Sequence, residues 1–162
     1  MAKFLIEGGH SLKGDIYPQG AKNEALEVIC ATLLSSEKVT IHNIPNILDV
    51  NNLISLLKDM GVEVENQGKG TFSFCAANVN LDYLDTPQFY KQCASLRGSV
   101  MLVGPLVARF GTAVVPKPGG DKIGRRRLDT HFTGIQNLGA IFCFDPELQL
   151  YRIRTQKLKG CY

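Results

Sequence analysis

Apolar residues recur at helical spacing through Ala25, Leu26, Ile29, Cys30 and Leu33, which predicts a helix opening near Lys22. Lys38-Val39-Thr40-Ile41-His42 then reads as a short strand, and Asn43-Ile44-Pro45-Asn46 as a turn. A second amphipathic helix carries Val50, Leu53, Ile54, Leu57 and Met60, and Gly61 is placed to stop it. The strand Val62 to Glu65 follows, and a further one runs from Thr71 to Cys75. Ahead of all these, Phe4 to Gly8 and Ser11 to Ile16 read as two strands joined by a Gly-Gly turn.

The same order returns later in the chain. An apolar helical run from Ser99 to Ala108 leads into the strand Thr112 to Val115. A helix carrying Leu128, Phe132, Ile135 and Leu138 ends at Gly139, and the strands Ala140 to Phe144 and Leu148 to Ile153 close the copy. Lys22 and Arg97 are 75 positions apart, as are Val39 and Val114, while Gly61 and Gly139 are 78 apart. The second copy is therefore the first with about three extra residues near Asp121 to Arg126. Each copy reads helix, strand, helix, strand, strand, and the alternation in its last strand predicts a half-buried antiparallel edge. Helices packed under small sheets are expected, an α+β arrangement.

Composition narrows the class. The chain has 162 residues, 44% hydrophobic and 20% charged, which describes a globular protein with a core. Eighteen basic against 15 acidic residues give +3, too balanced to call for nucleic acid. No apolar run approaches the ~20 residues that span a bilayer, and Glu7 and the glycines interrupt any leader-like start. A cytoplasmic protein without membrane insertion is the expectation. Cys30, Cys75, Cys93, Cys143 and Cys161 are odd in number and share no Cys-x-x-Cys spacing, so neither a disulfide framework nor a zinc site is expected. His10, His42 and His131 are far apart and read as structural.

Two segments could carry chemistry. Gly20-Ala21-Lys22-Asn23 opens a helix with a lysine, which opposes the helix dipole unless an anion binds there. The repeat sets Arg97 at the matching helix start, so the two cations would clamp one anionic ligand; they also read as solvated surface cations. Pro116 to Arg127 is a glycine-rich, basic loop with one carboxylate, Asp121, and three consecutive arginines suited to phosphate. It matches neither the P-loop nor the dinucleotide-binding glycine pattern. It reads equally as a lid over a phosphorylated substrate, a basic surface hairpin or part of a nucleic-acid patch.

Gly20-Ala21-Lys22-Asn23, Gly104-Pro105-Leu106-Val107-Ala108-Arg109-Phe110-Gly111 and Pro118-Gly119-Gly120-Asp121-x-Ile123-Gly124-x-Arg126-x-x-Asp129-x-His131 together resemble the enolpyruvyl transferases, in the branch that acts on a nucleotide sugar. The resemblance runs from about Phe4 to the last residues. It implies repeats of βαβαββ units forming an inverse α/β barrel or prism, with two units here: residues 20–94 and 95–162. Residues 1–19 would supply strands to the facing domain. It implies transfer of the enolpyruvyl group of phosphoenolpyruvate to the 3-hydroxyl of UDP-N-acetylglucosamine, in peptidoglycan synthesis, with no metal or organic cofactor.

By motif match, Lys22 would contact phosphoenolpyruvate, Asn23 the nucleotide sugar, and Arg97 phosphoenolpyruvate. Arg126 would bind substrate phosphate, and Arg126, Arg127, Leu128, Asp129 and Thr130 the uridine nucleotide. Asp121 stands where most members carry a cysteine, the proton donor to the methylene carbon and the target of fosfomycin; the aspartate implies resistance to that drug. Neighbouring arginines would lower the Asp121 pKa, and loop closure over a bound trianion would raise it. The family's chains are much longer, and its general base and a further arginine lie beyond the matching part. The chain alone is therefore expected to be inactive and to self-associate through uncovered apolar surface. Two rivals remain: the sister activity on shikimate 3-phosphate, and a nucleic-acid module built on Arg125, Arg126 and Arg127, which lacks an interleaved aromatic platform.

Overall fold

The computed structural model describes residues 3–116 and 127–160. The first unit comprises helix α1 (Lys22–Ala31), strand β1 (Lys38–Ile41), helix α2 (Leu48–Asp59) and strands β2 (Glu63–Gly68) and β3 (Thr71–Cys75). Helix α3 (Pro87–Ser95) links it to the second unit. That unit comprises helix α4 (Val103–Phe110), strand β4 (Thr112–Pro116), helix α5 (Asp129–Asn137) and strands β5 (Ile141–Asp145) and β6 (Leu150–Arg154). Turns of 3-10 helix occupy Thr32–Leu34, Leu81–Asp85 and Arg97–Leu102. Gly61 and Gly139 take positive φ, 92° and 98°, directly after the two helices that the sequence stops there. Among the described residues each unit runs α-β-α-β-β, the expected βαβαββ order without its leading strand.

Each unit builds a three-stranded antiparallel sheet, in the orders β1-β3-β2 and β4-β6-β5. The last strand of each unit is therefore central, where an edge was expected. Period-two alternation reports that a strand has two different faces, but it is silent on how many neighbours pair with it. Phe74 of β3 lies opposite Val39 and Val64, and Ile153 of β6 lies opposite Ala113 and Phe142; both are fully buried.

The helical run expected from Ser99 splits in two. Arg97–Leu102 is 3-10 and the α-helix begins only at Val103. Pro105 explains the boundary: starting at Val103 puts it in the first turn, where no N–H is required of it. Helix α3 was not anticipated, although its start is marked. Thr86 Oγ1 accepts from the Phe89 N–H at 3.2 Å, and Pro87 takes the first helical position.

Residues 4–16 form no strand, contrary to expectation, and Phe4, Leu5, Ile6, Leu12, Ile16 and Tyr17 are almost wholly exposed. An isolated two-stranded hairpin is marginal in water, and nothing among the described residues covers these side chains. No single helix among the described residues is long and apolar enough to cross a membrane.

One hydrophobic cluster joins both units. It contains Ile29 and Leu33 from the first helical segment, Leu53 and Leu57 of α2, Phe89 of α3, and Leu102 and Leu106 from the second copy. The copies differ in how far they enter it. Helix α2 buries Val50, Leu53, Ile54, Leu56 and Leu57, whereas its counterpart α5 has no buried residue. Arg109 near the end of α4 binds the units at one edge of the core. Its Nη1 donates to the carbonyls of Leu33 (2.8 Å), Ala76 (2.9 Å) and Ser35 (3.0 Å), all in the first unit. Its guanidinium also lies 4.7 Å over the Phe110 ring.

Charged hydrogen bonds of this kind are worth about 1.5–3 kcal/mol when one partner is lost. Arg109→Ala should therefore lower the unfolding free energy in urea by about that amount. Arg109→Lys should recover part of it. A loss for the alanine variant no larger than that of an exposed arginine would show that the tie contributes little.

Candidate functional site

Helix α1 starts at Lys22, after an Ala21 that offers no side-chain cap. The 97–102 turn starts at Arg97, after Leu96, again without a side-chain cap. The two equivalent starts thus carry cations where the backbone leaves N–H groups uncapped by side chains. Two glycines mark close approaches beside these starts. A Cβ on Gly20 would lie 2.0 Å from the Asn43 carbonyl oxygen, so only glycine admits this approach of the segment ahead of α1 to the turn after β1. A Cβ on Gly98 would lie 3.1 Å from Leu26 Cδ1, which shows how closely the 97–102 turn presses on α1.

The result is an open cleft of about 230 Å³ whose walls include Lys22, Asn23, Arg97, Asp49 and Glu27. Lys22, Asn23 and Arg97 therefore line one cleft. Arg97 is half-buried and Lys22 exposed. The ammonium of Lys22 is ion-paired with the Asp49 carboxylate in the first turn of α2. Two cations and a side-chain amide around an open space suit a ligand bearing carboxylate or phosphate oxygens.

The remaining expected residues lie elsewhere. Arg127 and Asp129 form a forked pair with each other, Nε to Oδ1 at 3.0 Å and a guanidinium nitrogen to Oδ2 at 2.6 Å. Thr130 is exposed in the first turn of α5. Leu128 lines a separate hollow of about 320 Å³ with Val115, Phe132, Phe144 and Tyr151. None of these four is in the wall of the Lys22 cleft. Asp121 and Arg126 lie outside the described residues.

A bridge between the two regions does exist. Val100 and Met101 line both the Lys22 cleft and a neighbouring cavity of about 190 Å³, whose far wall is His131 and Phe132 of α5. Sequence reasoning missed Asp49, Met101 and His131. Asp49 carried only the signal of an acid in a first helical turn, which fits any helix start. His131 is the case where a structural reading was preferred and the side chain proves exposed beside a cavity. No group of three or more metal-ligating side chains occurs among the described residues.

Comparison with known proteins gives the family and the fold. The sequence model of the EPSP synthase (3-phosphoshikimate 1-carboxyvinyltransferase) family matches residues 6–160. The chain is 65% identical over 160 residues to a UDP-N-acetylglucosamine 1-carboxyvinyltransferase of Bacteroides fragilis, covering 99% of this chain and 37% of that protein. It is 58% identical over 162 residues to the protein of the same name from Porphyromonas gingivalis, covering 100% and 37%. The enolpyruvyl transferase NikO from Streptomyces tendae shares its fold, with a TM-score of 0.73 at 21% identity over 95% of this chain and 33% of that one. The chain spans about 37% of the length of the curated relatives it matches.

Cys30 and Cys93 are both buried. Burial pushes the Cys93 thiol up to about 12, against a smaller opposing effect of the Ser99 hydrogen bond. Burial, and then the Glu27 carboxylate, raises Cys30 as well. Only the thiolate is a good nucleophile, so both should stay unmodified by iodoacetamide at pH 8 in the folded chain. Among the described cysteines, Cys143, which is exposed, should be alkylated first. Peptide mapping checks the order, and early labelling of Cys93 would contradict the burial argument.

Proposed function

The chain belongs to the EPSP synthase family, and from that premise we propose that, with the further length its relatives carry, it transfers the enolpyruvyl group of phosphoenolpyruvate to UDP-N-acetylglucosamine. The observation that carries this reading is the single cleft shared by Lys22, Asn23 and Arg97, which come from equivalent starts of two repeat units. Within the family, the 58–65% identity to proteins named for the nucleotide sugar favours it over shikimate 3-phosphate. The exposed apolar residues 4–17 fit strands that complete a facing domain.

In this reading the sugar 3-hydroxyl oxygen bonds to C2 of phosphoenolpyruvate while the methylene carbon takes a proton. Loss of a proton from that carbon and breaking of the C2–O bond to phosphorus then release inorganic phosphate. Lys22 and Arg97 hold the anionic phosphoenolpyruvate and stabilise charge as it develops. Asn23 hydrogen-bonds the sugar. Arg126 binds phosphate, and Arg127 to Thr130 hold the uridine nucleotide. Asp121 supplies the proton, a role that requires its acid form. The hydroxyl proton goes to a base outside this chain. No metal or organic cofactor is called for in this reading, because the reaction is an addition to an already activated enol followed by an elimination, each coupled to a proton transfer.

Lys22→Ala and Arg97→Ala in the full-length protein should each reduce kcat/KM for phosphoenolpyruvate by about ten- to a hundredfold, the loss of one charge-assisted contact. Steady-state phosphate release measures this. Unchanged kinetics for both would return them to solvated surface cations.

Asp121 makes a sharper expectation. A carboxylate is a far weaker nucleophile towards an epoxide than a thiolate, so the full-length protein should resist fosfomycin. Asp121→Cys should confer time-dependent inactivation while keeping turnover. Asp121→Asn should lower turnover, since an amide cannot donate the proton. Rapid inactivation of the unmodified protein, or normal turnover of the Asn variant, would remove Asp121 from the role.

A further inference from the structure

Lys22 and Asp49 form an ion pair. The two side chains come from different helices and meet in the wall of the proposed anion cleft, about half and one-third exposed respectively. Their placements are unequal. Asp49 sits in the first turn of α2, where the helix dipole favours a carboxylate. Lys22 sits at the first position of α1, where the dipole disfavours a cation. Asp49 is thus held by its own helix, while Lys22 gains from whatever anion faces it. The charged walls of the cleft balance: Lys22 and Arg97 against Asp49 and Glu27.

We propose that Asp49 is a counter-ion to Lys22 which an incoming phosphate-bearing anion must displace, and that it thereby holds down the affinity of the cleft for phosphate. The inference rests on the reading that Lys22 binds the substrate anion. Two effects of Asp49 compete. By fixing the flexible lysine it orients the ammonium, which aids binding. By placing a full negative charge one side chain from the bound anion it opposes binding. Exposed ion pairs contribute little to holding a side chain in place. The repulsion between like charges a few ångströms apart in a partly desolvated cleft is larger. Repulsion therefore wins. The chemical sense is release: the reaction ends with inorganic phosphate on the same cations that held phosphoenolpyruvate, and a carboxylate ready to reclaim Lys22 helps phosphate leave. Asp49 acts here through Lys22 and the local field, without touching a reacting atom.

The test is titration of inorganic phosphate and of phosphoenolpyruvate into the full-length protein carrying Asp49→Asn. The amide keeps an oxygen for the Lys22 ammonium and removes only the charge. Phosphate should bind about threefold tighter or more, and product inhibition by phosphate should strengthen in parallel. The difference should shrink as salt is raised. Asp49→Ser, also neutral, repeats the measurement should the amide disturb the fold, and a damaged cleft would bind more weakly. Equal or weaker phosphate affinity in both variants would overturn the counter-ion role. Lys22→Ala separates the two levels: if it weakens phosphate binding while the Asp49 variants do not tighten it, only the counter-ion inference falls. If Lys22→Ala leaves phosphate affinity unchanged, the anion cleft itself falls and the inference with it.

Discussion

Neither repeat unit closes a core by itself, and the shared layer between them is the constraint on which the rest depends. Each unit has one small sheet and two helical segments, too little to bury its own apolar face. The solution is to press the helical start of the second copy onto α1 of the first, with Gly98 against Leu26. Arg109 then joins the edge of that layer by reaching three carbonyls of the first unit. These carbonyls end helical or strand segments, where a backbone acceptor lacks its regular partner. A charged guanidinium with several donors is well suited to that task.

The same packing makes the cleft. Because the copies meet near their helical starts, the residues at those starts meet as well. Lys22 and Arg97 are 75 positions apart in the chain and share one wall in the fold. Cations at such positions cost local helix stability, and the arrangement becomes favourable when an anion occupies the space. In the structure the Asp49 carboxylate pairs with Lys22. The fold and the proposed anion cleft thus depend on one contact surface: loosening the inter-unit layer would separate the two cations.

Much of this was legible in the chain. The stops at Gly61 and Gly139 fall where the helical pattern ends, and the strand at Thr71–Cys75 has the limits that its alternation suggested. The internal repeat set Lys22 and Arg97 at matching helical starts, and the two line one cleft. The misses have physical causes. Strand neighbours are long-range, so β3 and β6 looked like edges although each pairs on both sides. Thr86-Pro87 is a clear helix start, but α3 has no counterpart in the repeat and so drew no attention. Residues 4–16 have strand-like alternation without a partner among the described residues, and alternation alone does not make a sheet. The Lys22–Asp49 pair depends on the packing of α1 on α2, which no local pattern encodes.

The central claim is that one anion is held jointly from the two unit starts. A crystal structure of the full-length protein with phosphoenolpyruvate bound tests it most directly. The account predicts phosphate or carboxylate oxygens within hydrogen-bond distance of both the Lys22 ammonium and the Arg97 guanidinium, with Gly98 still against Leu26. Phosphoenolpyruvate bound away from either cation, or reaching only one of them, would contradict it.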